Sequence, residues 1–201
     1  MLKIVNARMK AITPIYSRGD SLDKDYQIIG NKRYSVLRTT QDGRVIIPLK
    51  GKIRVAVENI LKSMGESVCD VSKNIKGCGK CRACEIFGHT DKRGRWLVGS
   101  LFSEEPVAEI AEIHAHATMK RDSYIIDTKK VYNYQEVKPG AIFNTEIVIL
   151  DPKDDDLTLL RGALKSLRYI GVGGLVSKGY GRMELLDMDV KDIDYSSFLK
   201  E

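Results

Sequence analysis

Long apolar runs are scarce in this chain. Stretches such as Ile142-Phe143 and Ile147-Val148-Ile149-Leu150 end within a few residues, far short of the roughly 20 that a membrane-spanning helix needs. The opening residues Met1-Leu2-Lys3-Ile4-Val5-Asn6 lack the apolar centre of a secretory signal. Both shortages lead to the expectation of a soluble, cytoplasmic protein with no membrane partner. Proline is sparse as well, at five in 201 residues, and there is no low-complexity segment or repeat of fixed period. Fibrous and fully disordered classes are thereby excluded. A composition 43% hydrophobic and 30% charged fits a single domain over 1–201 that carries insertions.

Cysteine is absent everywhere except one short stretch, which holds Cys69, Cys78, Cys81 and Cys84. Gly77-Cys78-Gly79-Lys80-Cys81-Arg82-Ala83-Cys84 contains two overlapping Cys-x-x-Cys steps on a turn where glycine lets backbone amides bend toward sulfur. Four soft ligands suit tetrahedral structural zinc. Closely spaced cysteines also serve iron–sulfur clusters, and free thiols are a third reading. Disulfides suit the spacing poorly in a reducing compartment. His89, five residues beyond Cys84, is an alternative fourth ligand in place of Cys69. A closed site of this kind would fold a loop-rich insertion, taken here as 66–94, that has little apolar material of its own.

The net charge of +6 is unevenly spread. Residues 1–150 hold 25 Lys/Arg against 17 Asp/Glu, and residues 151–201 hold 8 against 10. A basic excess attracts polyanions, of which nucleic acid is the commonest in a cell, although a solvated surface accounts for it equally well.

Period-two alternation over Leu2–Ile12 predicts a half-buried strand ending at Thr13-Pro14. Short strands are expected at Gln27–Ile29 and Tyr34–Leu37, then a helix after Pro48 with Ile53, Val57, Ile60 and Leu61 on one face. Lys50 and Arg54 lie one turn apart on that helix. Strand character resumes at Arg95–Phe102, and the polar stretch His114–Pro139 reads as a protruding hairpin, taken as 112–140. A strand over Ala141–Leu150, an acidic cap at Asp154-Asp155-Asp156, a helix over Leu157–Tyr169 and a strand over Gly181–Val190 follow. The tail from Lys191 to Glu201 is expected to pack weakly or fray. This order is the β-α-β-β-α-β unit of a ferredoxin-like (RRM-like) α+β fold with insertions.

Between the last helix and the last strand lies Gly171-Val172-Gly173-Gly174-Leu175-Val176-Ser177-Lys178-Gly179-Tyr180-Gly181-Arg182, with five glycines in its first eleven residues. Exposed amides beside Ser177, Lys178 and Arg182 suit phosphate, and the segment lacks the Gly-Lys-Ser/Thr ending of a P-loop and the placement of a dinucleotide fingerprint.

That glycine-rich ending, together with Ile47-Pro48-Leu49-Lys50-Gly51-Lys52-Ile53-Arg54 at the first helix, resembles the RAMP superfamily of CRISPR-associated proteins. Within it the chain is similar to the backbone subunits that polymerise along guide RNA in type I and type III interference complexes. The resemblance implies that Lys50, Lys52 and Arg54 face guide phosphates, with Ser177, Lys178, Tyr180 and Arg182 doing so from the glycine-rich loop. Ser17 and Arg18 are implied as further RNA contacts after the first strand. The 112–140 hairpin would be a thumb, with Met119, Lys120 and Arg121 near its tip. Implied partners are a CRISPR guide RNA, a DNA or RNA target paired to it, other subunits of the complex and further copies of the chain.

Type III backbone subunits cut target RNA with a divalent metal and an aspartate in the loop after the first strand. At the corresponding place this sequence reads Gly30-Asn31-Lys32-Arg33-Tyr34, with no acid. Asp20, Asp23 and Asp25 lie upstream and could serve if the loop is rearranged, although they read equally as solvated loop carboxylates; magnesium would be needed only if one of them served. The expectation is a binding subunit without catalysis. A guide-processing RNase of the same superfamily would use histidine, and His114 and His116 alternate on one strand face, but that class usually carries two ferredoxin-like units and this chain has one.

Overall fold

The computed structural model describes the chain except residues 18–25, 30–31, 71–75, 120–122, 124–125 and 200–201. In chain order the elements are β1 (Leu2–Ala11), β2 (Tyr26–Ile29), β3 (Lys32–Ser35), β4 (Arg44–Ile47), α1 (Lys50–Ser63), α2 (Arg82–Phe87), β5 (Gly88–His89), β6 (Lys92–Arg93), β7 (Trp96–Val98), β8 (Leu101–Pro106), α3 (Val107–Ile110), β9 (Ala111–Met119), β10 (Ile126–Val137), β11 (Ile142–Leu150), α4 (Asp156–Ile170) and β12 (Met183–Ile193). Short 3₁₀ turns cover Val176–Lys178 and Tyr195–Leu199.

The main sheet runs β12-β1-β11-β8-β4, with β7 also on β11, and every pairing in it is antiparallel. β1 lies between β11 and β12 because it alternates: Val5, Ala7, Met9 and Ala11 are buried, while Arg8 and Lys10 are exposed. β11 repeats the pattern with Phe143, Ile147 and Ile149 buried. These side chains join one core with Ile53, Val57 and Leu61 of α1 and Leu160, Leu164 and Leu167 of α4. Spacings of three and four residues put each helical set on one stripe, so both helices bury it. Burying each of the larger of these side chains, the alanines apart, contributes about 1.5–3 kcal/mol before chain entropy is counted.

A second sheet, β2-β3-β10-β9, is built around the long β9–β10 antiparallel hairpin, whose register shifts between Asp127 and Val131. β3 joins β10 in parallel. The hairpin root is fastened behind β1 by the Ile15–Val137 bridge and by Leu37, whose amide donates to Gln135 Oε1 at 3.2 Å.

Several sequence expectations need correction. The Arg95–Phe102 strand is two strands, because Gly99 turns so close to β11 that its amide reaches Glu146 O at 3.0 Å and a Cβ there would lie 2.7 Å from that oxygen. The tail does not fray from Lys191, since β12 pairs through Ile193 with Leu2 of β1. The acidic start of α4 is present, with Asp156 in its first turn, but Asp155 at the N-cap makes no side-chain cap bond; Asp156 is fully buried and accepts two bonds from Arg95, at 2.7 and 3.2 Å. No expectation covered β4, α2 or the β5–β6 hairpin. Among the described residues no helix is long and apolar enough to cross a membrane.

Candidate nucleic-acid interface and cysteine cluster

Three segments far apart in sequence meet at a groove of about 520 Å³. Tyr16 and Ser17 after β1 form one wall, Pro48, Gly51, Lys52 and Val55 another, and Gly173 and Gly174 the third. The contact between the first and third is backbone to backbone: Gly174 N donates to Tyr16 O at 2.7 Å. Gly173 has φ +69°, and a Cβ on it would sit 2.4 Å from the same carbonyl. Only glycine accepts both that angle and that approach.

α1 opens toward this groove without a side-chain cap and with no acid in its first turn. Lys50 and Lys52 occupy that turn instead. A helix N-terminus already carries about +0.5 charge in unbonded amides, and cations placed there oppose folding by about 0.3–1 kcal/mol each. α4 shows the ordinary arrangement, with Asp156 in its first turn. The cost at α1 is recovered when an anion sits there, because amides and ammonium groups then point at the same charge.

Lys50 faces the next cleft, of about 570 Å³, which is lined by His89, Lys92 and Arg93 of the β5–β6 hairpin. Lys92 and Arg93 were missed in the sequence, since nothing in their local pattern places them beside α1. Ser177 and Lys178 are exposed on the 3₁₀ turn beyond Gly174, and Arg182 is exposed just before β12, its amide fixed to Thr13 Oγ1 at 3.0 Å. Tyr180 lies beside Tyr134 and the Glu136 carboxylate, and burial, joined by that carboxylate, raises its pKa. Arg54 is on the side of α1 turned toward the cysteines. It bonds Glu58 at 2.8 Å and Gly88 O at 3.4 Å, with Nη2 at 3.9 Å from Cys84 Sγ. Arg18, Asp20, Asp23, Asp25, Lys120 and Arg121 lie outside the described residues.

The four cysteine sulfurs gather within 4.8 Å of one another. Cys69 Sγ is 3.4 Å from Cys84 Sγ and 3.7 Å from Cys81 Sγ. Tetrahedral zinc with Zn–S near 2.3 Å separates its sulfurs by about 3.8 Å, so the donor set and spacing fit a metal ion. The turn is preformed: the amides of Lys80 and Cys81 donate to Cys78 Sγ at 3.5 and 3.3 Å and hold that thiol down to about 6. Burial pushes Cys69 up to about 12, a penalty that metal coordination removes by deprotonating the thiol outright. His89 stands outside the four; its ring packs over Gly79, 3.3 Å from where a Cβ would be.

Ion pairs tie the cysteine element to the start of α4 and to Arg95 just before β7. Arg82 bonds Glu66 at 2.9 Å and also Asp155, while Glu85 takes Arg95 at 3.0 Å and Lys153 at 2.7 Å. Phe87 packs edge-on against buried Trp96, with centroids 5.7 Å apart.

A small α+β protein with lysines at an uncapped helix N-terminus beside a glycine-walled groove, a long hairpin and a thiol cluster is the class these features define. The RAMP superfamily model matches residues 8–184, and the chain belongs to that superfamily. No curated protein matches the chain. Among solved structures, a chain from the cryo-EM structure of the Type III-B Cmr-beta bound to cognate target RNA superposes with a TM-score of 0.63 at 17% identity. The match covers 94% of this chain and 60% of that one, so the present chain spans well under two thirds of its neighbour.

Proposed function

We propose that the chain is a guide-RNA-binding backbone subunit of a CRISPR interference complex, working in the cytoplasm, and that copies of it line up along the guide and present it to target nucleic acid. The observation that carries this is the first turn of α1, where Lys52 lines a groove completed by glycine backbone and Lys50 lines the cleft beside it. Such a surface holds phosphates and reads no bases. Base pairing then supplies the sequence specificity, as in other guided systems. The neighbour's binding of target RNA supports RNA as the partner class and other subunits as companions.

In this reading the core is ferredoxin-like: β1, α1, β7–β8, β11, α4 and β12 supply the six units, and the strand order β12-β1-β11-β8 matches that arrangement. Residues 1–201 form one domain, 66–94 its zinc insertion and 112–140 its thumb. Lys50, Lys52, Ser177, Lys178 and Arg182 take phosphates, whereas Ser17 is buried and is assigned to the groove wall; Arg18, Lys120 and Arg121 are assigned phosphate contacts from the family pattern. Arg54 is already committed to Glu58 and the cysteine element, so we assign it to coupling that element to α1. Tyr180 we assign to positioning the glycine-rich segment. The bound metal is structural zinc on Cys69, Cys78, Cys81 and Cys84.

A second reading rests on the Type III-B neighbour: target-RNA cleavage with magnesium and Asp20, Asp23 or Asp25. One experiment separates the two. The protein is purified from its native cell, its bound RNA sequenced, and the complex incubated with matching target RNA and magnesium. Repeat-derived guides with intact target support the binding subunit. Regularly spaced cuts establish the nuclease, and absence of guide RNA overturns both.

A further inference from the structure

At the root of the β9–β10 hairpin the register sets Glu112 opposite Glu136 and His114 opposite Tyr134. Like charges directly across a strand pair are destabilising, and here one of the two is buried: Glu136 is 3% exposed. His114 Nε2 lies 2.9 Å from Glu112 Oε1 and 3.5 Å from Glu136 Oε1. A ligand atom from each residue falls within 4.8 Å of the other two. Glu136 Oε2 is buried and has no hydrogen-bond partner among the described residues. Two carboxylates against one imidazole leave net negative charge in a site closed on one side, even when the imidazole is protonated. Buried charge of this kind is retained when it is paired or bound to metal.

We propose that Glu112, His114 and Glu136 bind a divalent transition cation. Their spacing fits ligand distances of about 2.0–2.2 Å around one ion. One imidazole nitrogen with two carboxylate oxygens suits Mn²⁺ or Zn²⁺, whereas Mg²⁺ prefers an all-oxygen shell that keeps its waters. Glu112 and His114 lie two apart on β9 and so share a face, and Glu136 reaches them from β10, so the ion cross-links the two strands at the hairpin root. Tyr180 of the glycine-rich segment stands beside Glu136, which places the ion next to that segment as well. The site is separate from the cysteine cluster in ligand chemistry.

Mn²⁺ is the probe of choice, since it is hard and leaves thiolates to zinc. The full chain, carrying one equivalent of zinc for its four cysteines and no excess, is titrated with Mn²⁺ and the free aquo ion is followed by electron paramagnetic resonance. One tight Mn²⁺ per chain is expected, weakened by at least about tenfold in Glu136→Gln and in His114→Ala. His114 is half-exposed, so its removal leaves the fold intact and keeps the test meaningful should the Glu136 variant misfold. Mn²⁺ should also raise the melting temperature of the wild type and leave that of His114→Ala unchanged. Absence of binding below about 1 mM, or equal binding by His114→Ala, overturns the site.

Discussion

Gly173 and Gly179 both have positive φ, yet they should respond very differently to alanine. At Gly173 the added Cβ collides with the Tyr16 carbonyl at 2.4 Å; at Gly179 nothing lies within 4 Å. Gly179→Ala should therefore cost only the backbone term, about 1–2 kcal/mol. Gly173→Ala must also break the Gly174–Tyr16 bond and spread the groove, so it should lose more stability by denaturant titration and lose RNA affinity as well. Equal effects from the two would mean that the glycine segment is not pinned to the strand-end at Tyr16. The glycines were evident in the sequence as a flexible, phosphate-suited stretch. Which of them carries a close contact was not, because Tyr16 lies about 160 residues away with no local signal pairing the two.

At the scale of elements, the cysteine segment is the clearest case of a site readable from spacing. Two Cys-x-x-Cys steps sufficed to group Cys78, Cys81 and Cys84, and the fold adds Cys69 in preference to His89. Its attachment was hidden, since Arg82, Arg95, Asp155 and Asp156 look like ordinary surface charges until the chain folds. Cys81→Ser should lower bound zinc and folded yield while leaving RNA affinity per folded molecule unchanged; full stability with no zinc would contradict a metal-held element. Acid should loosen the same attachment. The Arg82 guanidinium holds the Asp155 carboxyl below its usual range, so the folded state binds that proton less readily than the unfolded chain. The resulting stabilisation is present above the unfolded carboxylate value and is lost as pH falls through the lowered folded value. Asp155→Asn should flatten the acid limb of the stability curve, and an unchanged limb would show the pair to be without effect.

For the whole molecule, period and order carried the α+β core, because β1, α1, β11 and α4 each bury a regular stripe. The strands β2, β3 and β4 are four residues each: β2 falls where a strand was expected, β3 starts two residues before its expected Tyr34, β4 had no expectation, and the place of all three depends on partners far along the chain. The convergence of Ser17, Lys52 and the glycine segment on one groove is likewise a property of the sheet order: β12 and β11 flank β1, and so bring both ends of the chain's core to the N-terminus of α1. Lys92 and Arg93 extend that surface past Lys50. Removing both of them should weaken RNA binding at low salt, and undiminished binding in a filter assay would confine the interface to the groove.

The claim at the centre is that Lys50 and Lys52 hold RNA backbone at the first turn of α1. The measurement that tests it most directly is the salt dependence of RNA affinity for the wild type and for Lys50→Ala/Lys52→Ala, on two RNAs of unrelated sequence. Two lost phosphate contacts on a single strand should reduce the slope of log affinity against log salt by about 1.4, equally for both RNAs. An unchanged slope, or a loss confined to one sequence, would contradict a phosphate-holding role for these lysines.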